Sequence, residues 1–302
     1  MIAQATREAL ADHVGRIEFD APLARHTSLR VGGPADAIAS PSNRRELGAL
    51  LKLCQDHRVP FLVLGAGFNT LVRDEGIEGV VLSMRRMRGL ALEQDSIRAE
   101  AGTSHSQITN FGIEHGRSGL EFAAGIPGTV GGWVTMNAGI GVREIETVIE
   151  DVDWIGPGGN PGTAGREELE FRYREFRFPV EGAVITSARF RTEPRDSDVI
   201  RKEVDRLLQH RSETQPIHTP SCGSVFKNPE GDFAGRLIET ASLKGSRIGG
   251  AEISSLHANF IVNRGGATAA DVLALIKRAQ ATVAKVHGIT LETEVRIVGR
   301  TP

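Results

Sequence analysis

Gly125-Ile126-Pro127-Gly128-Thr129-Val130-Gly131-Gly132-Trp133-Val134-Thr135-Met136-Asn137-Ala138-Gly139 places five glycines in fifteen residues. Glycine has no β-carbon, so its backbone can approach a ligand closely and adopt conformations that other residues avoid. Interleaved with Thr129, Thr135 and Asn137, this stretch suits a main chain wrapped against a polyanionic or planar ligand. Long irregular loops inside compact domains are usually functional, and a purely structural loop is the alternative.

A second cluster lies upstream. Gly65-Ala66-Gly67-Phe68-Asn69-Thr70 follows Phe61-Leu62-Val63-Leu64, a short apolar run with the character of a buried strand. Glycines at a strand end let backbone N–H groups cradle a phosphate. The last position departs from G-x-G-x-x-G, and Leu71-Val72-Arg73-Asp74-Glu75-Gly76 looks like another turn instead of the opening of a long helix. A Rossmann site therefore fails on context. Taken alone, the segment leaves an ordinary glycine turn and a phosphate cradle both open.

Around these loops the pattern changes period three times. Residues 3–14 have amphipathic helical spacing, and extended chain follows through Thr27-Ser28-Leu29-Arg30-Val31-Gly32-Gly33-Pro34. Leu47, Leu50, Leu51 and Leu53 give a helix, and Gly79 to Met84 a strand. From about 90 to 195 short strands dominate; in Val184 to Arg191, Val184, Thr186, Ala188 and Phe190 share one face. Ile200, Val204, Leu207 and Leu208 then fall on one helical face. A second helix carries Val272, Ile276, Ala279, Val283 and Val286, with Thr268 and Asp271 fitting a capping box and Gly288 a stop. Leu291 to Val298 alternates as a terminal strand with Glu292 and Glu294 on one face. The expected fold class is α+β, with regions over residues 1–90, 91–196 and 197–302.

The totals exclude several classes. Of 302 residues, 40% are hydrophobic and 25% charged, ordinary globular usage that excludes a largely disordered or coiled-coil chain. The 35 glycines have no G-x-y period, which excludes collagen. A net charge of −2 leaves no basic excess for a nucleic-acid backbone. Cys54 and Cys222 lie far apart with no Cys/His ligand spacing, so two free thiols in a reducing cytoplasm are expected, with no metal site. The nine histidines form no H-E-x-x-H. Met1 to Glu8 lacks the cationic start and apolar run of a signal peptide, and no apolar stretch approaches the ~20 residues that span a bilayer. The expectation is a cytoplasmic protein with no membrane, nucleic-acid or obligate protein partner.

Candidate chemical residues are modest in isolation. Ser224, in Ser221-Cys222-Gly223-Ser224-Val225-Phe226-Lys227-Asn228-Pro229, is not in a G-x-S-x-G elbow, and a serine after glycine is by itself a turn residue. The Glu292 and Glu294 pair has the pattern of a solvated face.

Together, in order, the segments resemble one family, the flavin-dependent UDP-N-acetylenolpyruvoylglucosamine reductases of peptidoglycan synthesis. The match runs through Thr27 to Asp36, Gly65 to Asn69, Gly125 to Gly139 and Tyr173-Arg174. It continues through Gly223 to Pro229, Gly249 to Ser254 with His257 to Phe260, and Glu292 to Arg296. The resemblance implies a two-part FAD-binding region of the vanillyl-alcohol-oxidase/PCMH type and a C-terminal α+β substrate domain. It implies noncovalent FAD held by Gly65, Ala66, Gly67, Phe68, Asn69 and Thr70 and by Gly125, Ile126, Pro127, Gly128, Thr129, Gly132 and Asn137. NADPH reduces the flavin and leaves before the substrate, UDP-N-acetylglucosamine-enolpyruvate, enters; the product, UDP-N-acetylmuramate, links the reaction to cell-wall biogenesis, cell shape and division. A flavin oxidase or dehydrogenase with another substrate and a non-enzymatic flavin-binding module are the alternatives.

Family matching implies three catalytic residues. Arg174 holds the substrate carboxylate and favours the enediolate that forms on hydride addition. Glu294 assists that polarisation, and Ser224 delivers the proton to the α-carbon. Tyr173, Lys227 and Asn228 are expected in the substrate pocket. Phe68, Trp133 and Phe176 stand where the family pattern has smaller residues. With Tyr173 its single tyrosine, the chain resembles the shorter form of the family, which lacks a tyrosine-bearing lid.

Overall fold

The computed structural model describes residues 2–13 and 16–301, so the expected helix end at Val14 lies outside the described residues. Two compact units emerge, each discontinuous in sequence: Met1–Phe19, Asp36–Ala66 and Gly79–Gln209 form one, and Asp20–Ala35, Gly67–Glu78 and His210–Pro302 the other. Residues 20–35 and 67–78 group with the C-terminal chain through pairings that no local pattern announces.

The first unit contains two sheets. Helix α1 (Gln4–His13) contacts helix α2 (Arg44–Asp56), whose N-cap Asn43 accepts from Glu46 N. Leu47, Leu50, Leu51 and Cys54 of α2 are buried at helical spacing. One sheet has the order Ile17–Pro22, Pro34–Ala39, Ile77–Ser83, Phe61–Leu64. Phe61–Leu64 is its edge, pairing in parallel with Ile77–Ser83, so Val63 is 36% exposed where a fully buried strand was expected. The other sheet is antiparallel, in the order Pro161–Gly165, Ile149–Ile155, Val184–Arg191, Ser96–Glu100, Leu90–Glu93.

Val184 to Ala188 are buried on both faces of the central strand. Helices α3 (His105–Glu114), with a Ser104/Gln107 capping box, and α4 (Val130–Thr135) follow, and α4 packs on that strand. Arg98, Arg189 and Arg44 neutralise Asp151 and Asp153, which are almost wholly buried in the sheet. In α5 (Ser197–Thr214) only Ile200 and Val204 are buried, against Ile113 and Ala124; Leu208 faces solvent, so the apolar stripe is narrower than its periodicity predicts.

The second unit has its own core, from Leu29, Val31 and Leu71 through Phe226, Ile261 and Val283 to Val295. Helix α6 (Ala234–Thr240) packs on α7 (Ala269–His287), which has the expected capping box at Thr268 and Asp271 and a left-handed Gly288 at its end. Asp74 tightens that helix start by accepting from Ala269 N and Ala270 N at 2.8 and 2.9 Å. Only Arg296–Val298 of the expected terminal strand is extended in a ladder, parallel to Thr70–Val72. Residues 33 and 76 lie where two backbones touch: a β-carbon on Gly76, at φ +75°, would run into the Pro34 carbonyl oxygen. Gly76→Ala is expected to cost on the order of 3 kcal/mol, from left-handed strain plus a backbone clash. Urea unfolding checks this; a loss under ~1 kcal/mol would mean the turn relaxes without cost.

Both thiols are free and buried, and burial pushes Cys54 up to about 11 and Cys222 to about 12, so neither is a nucleophile near neutrality. Among the described residues no helix is long and apolar enough to cross a membrane, and no group of three His, Cys, Asp or Glu could hold a metal.

Candidate active site

In the second unit, Ser221–Ser224 pairs with Phe260–Asn263, and the ladder is irregular between Ser221 and Ser224. Gly223 takes φ +77° there, a conformation that suits glycine. Ser224 is half-buried and its hydroxyl has no hydrogen-bond partner among the described residues. The next residue, Val225, accepts from Glu294 N at 2.8 Å and Val295 N at 3.3 Å, and Phe226 bridges Thr293. Ser224 and Glu294, 70 residues apart in the chain, thus sit on adjoining segments.

The glycine loop reaches the same place. Asn69 Nδ2 donates to the Glu294 carbonyl at 3.1 Å, and Arg296 N donates to Asn69 O at 3.2 Å. A β-carbon on Gly223 would lie 3.6 Å from Phe68 O. Ser28 Oγ is 2.9 Å from Gly67 O and 2.6 Å from Ser221 O, fastening the loop to the serine strand. Thr70 opens the short parallel pairing with Arg296. The Phe68 carbonyl thus lies beside Gly223 of the serine segment.

Lys227 and Asn228 are next to this cluster in the chain. Lys227 Nζ pairs with the exposed Glu292 at 2.6 Å, so the two expected strand-face carboxylates differ: Glu292 is a solvated salt-bridge partner and Glu294 is half-buried. Asn228 Oδ1 accepts from Ala234 N at 3.0 Å and holds the start of α6. Arg211 had no signal in the sequence beyond its charge. Its Nε is buried without an acceptor among the described residues, and burial pulls its pKa down.

In the first unit the two glycine loops meet. A β-carbon on Gly65 would collide with Thr129 Oγ1, so the absence of one lets the loops close on each other. Ala66 is half-buried, Gly125 is buried, Ile126, Pro127 and Gly128 are half-buried, and Gly132 is exposed at the start of α4. Gly128 stands at φ +131°, and the loop is anchored by Val130 N to Thr103 O and Gly131 N to Ala101 O. Trp133 finds room in the core at 2% exposure, and its indole N–H is buried without an acceptor among the described residues.

Arg174 occupies the turn of a hairpin between Glu170–Arg172 and Glu175–Arg177. Its φ is +58°, which turn chemistry would assign to glycine or asparagine. Its guanidinium lies 4.8 Å over the exposed Tyr173 ring and donates to Glu144 Oε1 at 3.1 Å, Asn137 O at 3.3 Å and Gly139 O at 3.0 Å. Phe176 stacks on Phe171 and meets Phe178 edge-on, packing the hairpin base.

Asn137 differs from its expected place against a cofactor. It is fully buried; Nδ2 donates to Glu144 Oε2 and Arg172 O, while Oδ1 accepts from Glu146 N. Burial pushes the Glu144 carboxyl above the ordinary range against the opposing pull of Arg174. Glu144 carries no motif signal; only the folded hairpin Gly139–Ile140 with Arg143–Glu144 brings it under Arg174.

Residues 35–160 match the family model of an FAD binding domain, and residues 215–298 that of the UDP-N-acetylenolpyruvoylglucosamine reductase C-terminal domain. A UDP-N-acetylenolpyruvoylglucosamine reductase of Geobacter metallireducens is 46% identical over 94% of this chain and 95% of its own length. One of Streptococcus thermophilus is 44% identical over 94% and 93%. The crystal structure of the Thermus caldophilus enzyme superposes with a TM-score of 0.80 at 35% identity, covering 93% of this chain and 98% of that one. The two glycine loops in contact and the orphaned Trp133 N–H beside Gly128 fit a flat dinucleotide such as FAD.

Proposed function

Because the chain belongs to the UDP-N-acetylenolpyruvoylglucosamine reductases, FAD-dependent oxidoreductases of peptidoglycan precursor synthesis, we propose that it uses NADPH to reduce UDP-N-acetylglucosamine-enolpyruvate to UDP-N-acetylmuramate in the cytoplasm. When bound, FAD would supply hydride chemistry between NADPH and the terminal CH₂ carbon of the enol ether. Gly65 and Ala66, with Gly125 to Thr129 and Gly132, would hold the cofactor by backbone approach, as would Gly67 to Thr70. The three expected regions then divide the work: residues 1–90 and 91–196 bind cofactor, and 197–302 bind the nucleotide substrate.

Arg174 holds the substrate carboxylate with its planar fork and stabilises the charge that gathers there as the hydride arrives. Glu294 polarises the same group. Ser224 then gives its proton to the α-carbon; a serine is a weak acid, but an enediolate is a strong enough base to take the proton. Tyr173, Lys227 and Asn228 contribute to binding of the nucleotide substrate.

The observation that supports this reading is the junction at Val225, where the chain beside Ser224 meets the Glu294 segment, itself bonded to Asn69, while the Ser224 hydroxyl has no partner among the described residues. The FAD-loaded chain should be bleached by NADPH and recover its colour on addition of the enolpyruvyl nucleotide, with one UDP-N-acetylmuramate formed per NADPH. A chain that takes up no FAD would sink every flavoenzyme reading; one reoxidised only by oxygen or another acceptor would favour an oxidase.

A further inference from the structure

Two residues other than glycine, Asn137 at φ +40° and Arg174 at φ +58°, adopt left-handed backbone within one hydrogen-bonded cluster. Such strain persists only where the surroundings enforce it, and it gathers at functional sites. What enforces it here is a half-buried carboxylate. Glu144 Oε1 accepts from Arg174 Nη1, and Oε2 accepts from Asn137 Nδ2 at 2.8 Å, so one side chain ties both strained positions together. The side chains of Arg174 and Glu144 are only 17% and 19% exposed, so water screens the pair weakly.

We propose that Glu144 is a positioning residue for the reaction: it fixes the Arg174 guanidinium in the plane from which the substrate carboxylate is gripped, with Asn137 holding Glu144 in turn. The inference rests on the role given to Arg174 above and extends it to a residue that touches no substrate.

Three features support a role beyond stability. Arg174 also donates through Nη1 to Asn137 O and through Nη2 to Gly139 O, so both terminal nitrogens are oriented by the hairpin that Glu144 closes. Glu144 is paired in register with Gly139, and one short ladder therefore sets the carboxylate and a carbonyl acceptor together. Burial works against the charged form of Glu144, so holding the carboxylate beside Arg174 carries a desolvation cost that the opposing pull of Arg174 only partly offsets. Glu146 also faces Glu144 and raises its pKa, and Glu146 is itself 3.7 Å from Arg166.

The test compares Glu144→Ala, Glu144→Gln and Arg174→Ala holoenzymes in separate half-reactions, with binding of UDP-N-acetylmuramate to the oxidised form followed by calorimetry. Glu144→Ala should slow flavin reoxidation by the enolpyruvyl nucleotide about ten- to hundred-fold, the scale of a small displacement of a catalytic group. FAD content and NADPH reduction should be unchanged, and product affinity should move less than about three-fold, since orientation affects the transition state more than ground-state binding. Glu144→Gln keeps an acceptor for Arg174 through its carbonyl but turns an amide N–H towards the Asn137 amide donor, so it should recover the rate only in part, to about three-fold faster than Glu144→Ala. Normal reoxidation in Glu144→Ala with severe loss in Arg174→Ala overturns the positioning role alone. Normal reoxidation in Arg174→Ala overturns the catalytic role it rests on.

Discussion

Ser224→Ala is expected to bind FAD, to be reduced by NADPH at the parent rate, and then to be reoxidised by the enolpyruvyl nucleotide about a hundred to ten thousand times more slowly, the usual reach of general-acid catalysis. The structure makes this substitution unusually clean. The hydroxyl has no hydrogen-bond partner among the described residues, so its removal orphans no described donor or acceptor, and the side chain is only half-buried. Cys222 and Val225 on either side remain packed in the core, and the Val225 carbonyl still receives Glu294 N. Urea unfolding should therefore shift little while the oxidative half-reaction collapses. Parent-like reoxidation would remove Ser224 as the proton donor and return it to the turn residue that its sequence context suggests.

The second large effect is at Arg174. Arg174→Lys keeps the charge and the left-handed turn but loses the planar fork, so an ammonium must replace donors now directed at Glu144, Asn137 O and Gly139 O. We expect kcat/KM for the enolpyruvyl nucleotide to fall about a thousand-fold, comparable with the loss of a preorganised donor to a developing anion. NADPH reduction, which makes no use of the substrate carboxylate, should persist. Retention of near-parent turnover would assign Arg174 to the hairpin's structure alone.

Much of the fold is legible because its signals are local. Thr268, Asp271 and Gly288 announce both ends of α7, and the period-two apolar set in Val184 to Arg191 announces the centre of the larger sheet. The division into units is not legible, because it depends on Thr70 meeting Arg296 across more than two hundred residues and on Asp74 capping a helix that begins at Ala269. No periodicity encodes such pairings. Within the site, Arg174, Ser224 and Glu294 emerge from motif order rather than from chemistry: Ser224 is a plain turn serine in isolation and Glu294 half of a carboxylate pair. Their neighbours emerge from neither. Asn137 looks like a ligand contact in a glycine-rich stretch, yet the fold buries it completely to hold Glu144, and Glu144 itself lies in a sequence with no distinguishing feature.

The most direct test follows flavin colour anaerobically through both halves of the cycle in one cuvette. NADPH should bleach the FAD-loaded chain, and one equivalent of UDP-N-acetylglucosamine-enolpyruvate should then restore the oxidised spectrum in full with formation of one UDP-N-acetylmuramate. A reduced chain that stays bleached in the presence of the nucleotide, yet recovers when air is admitted, would contradict the account.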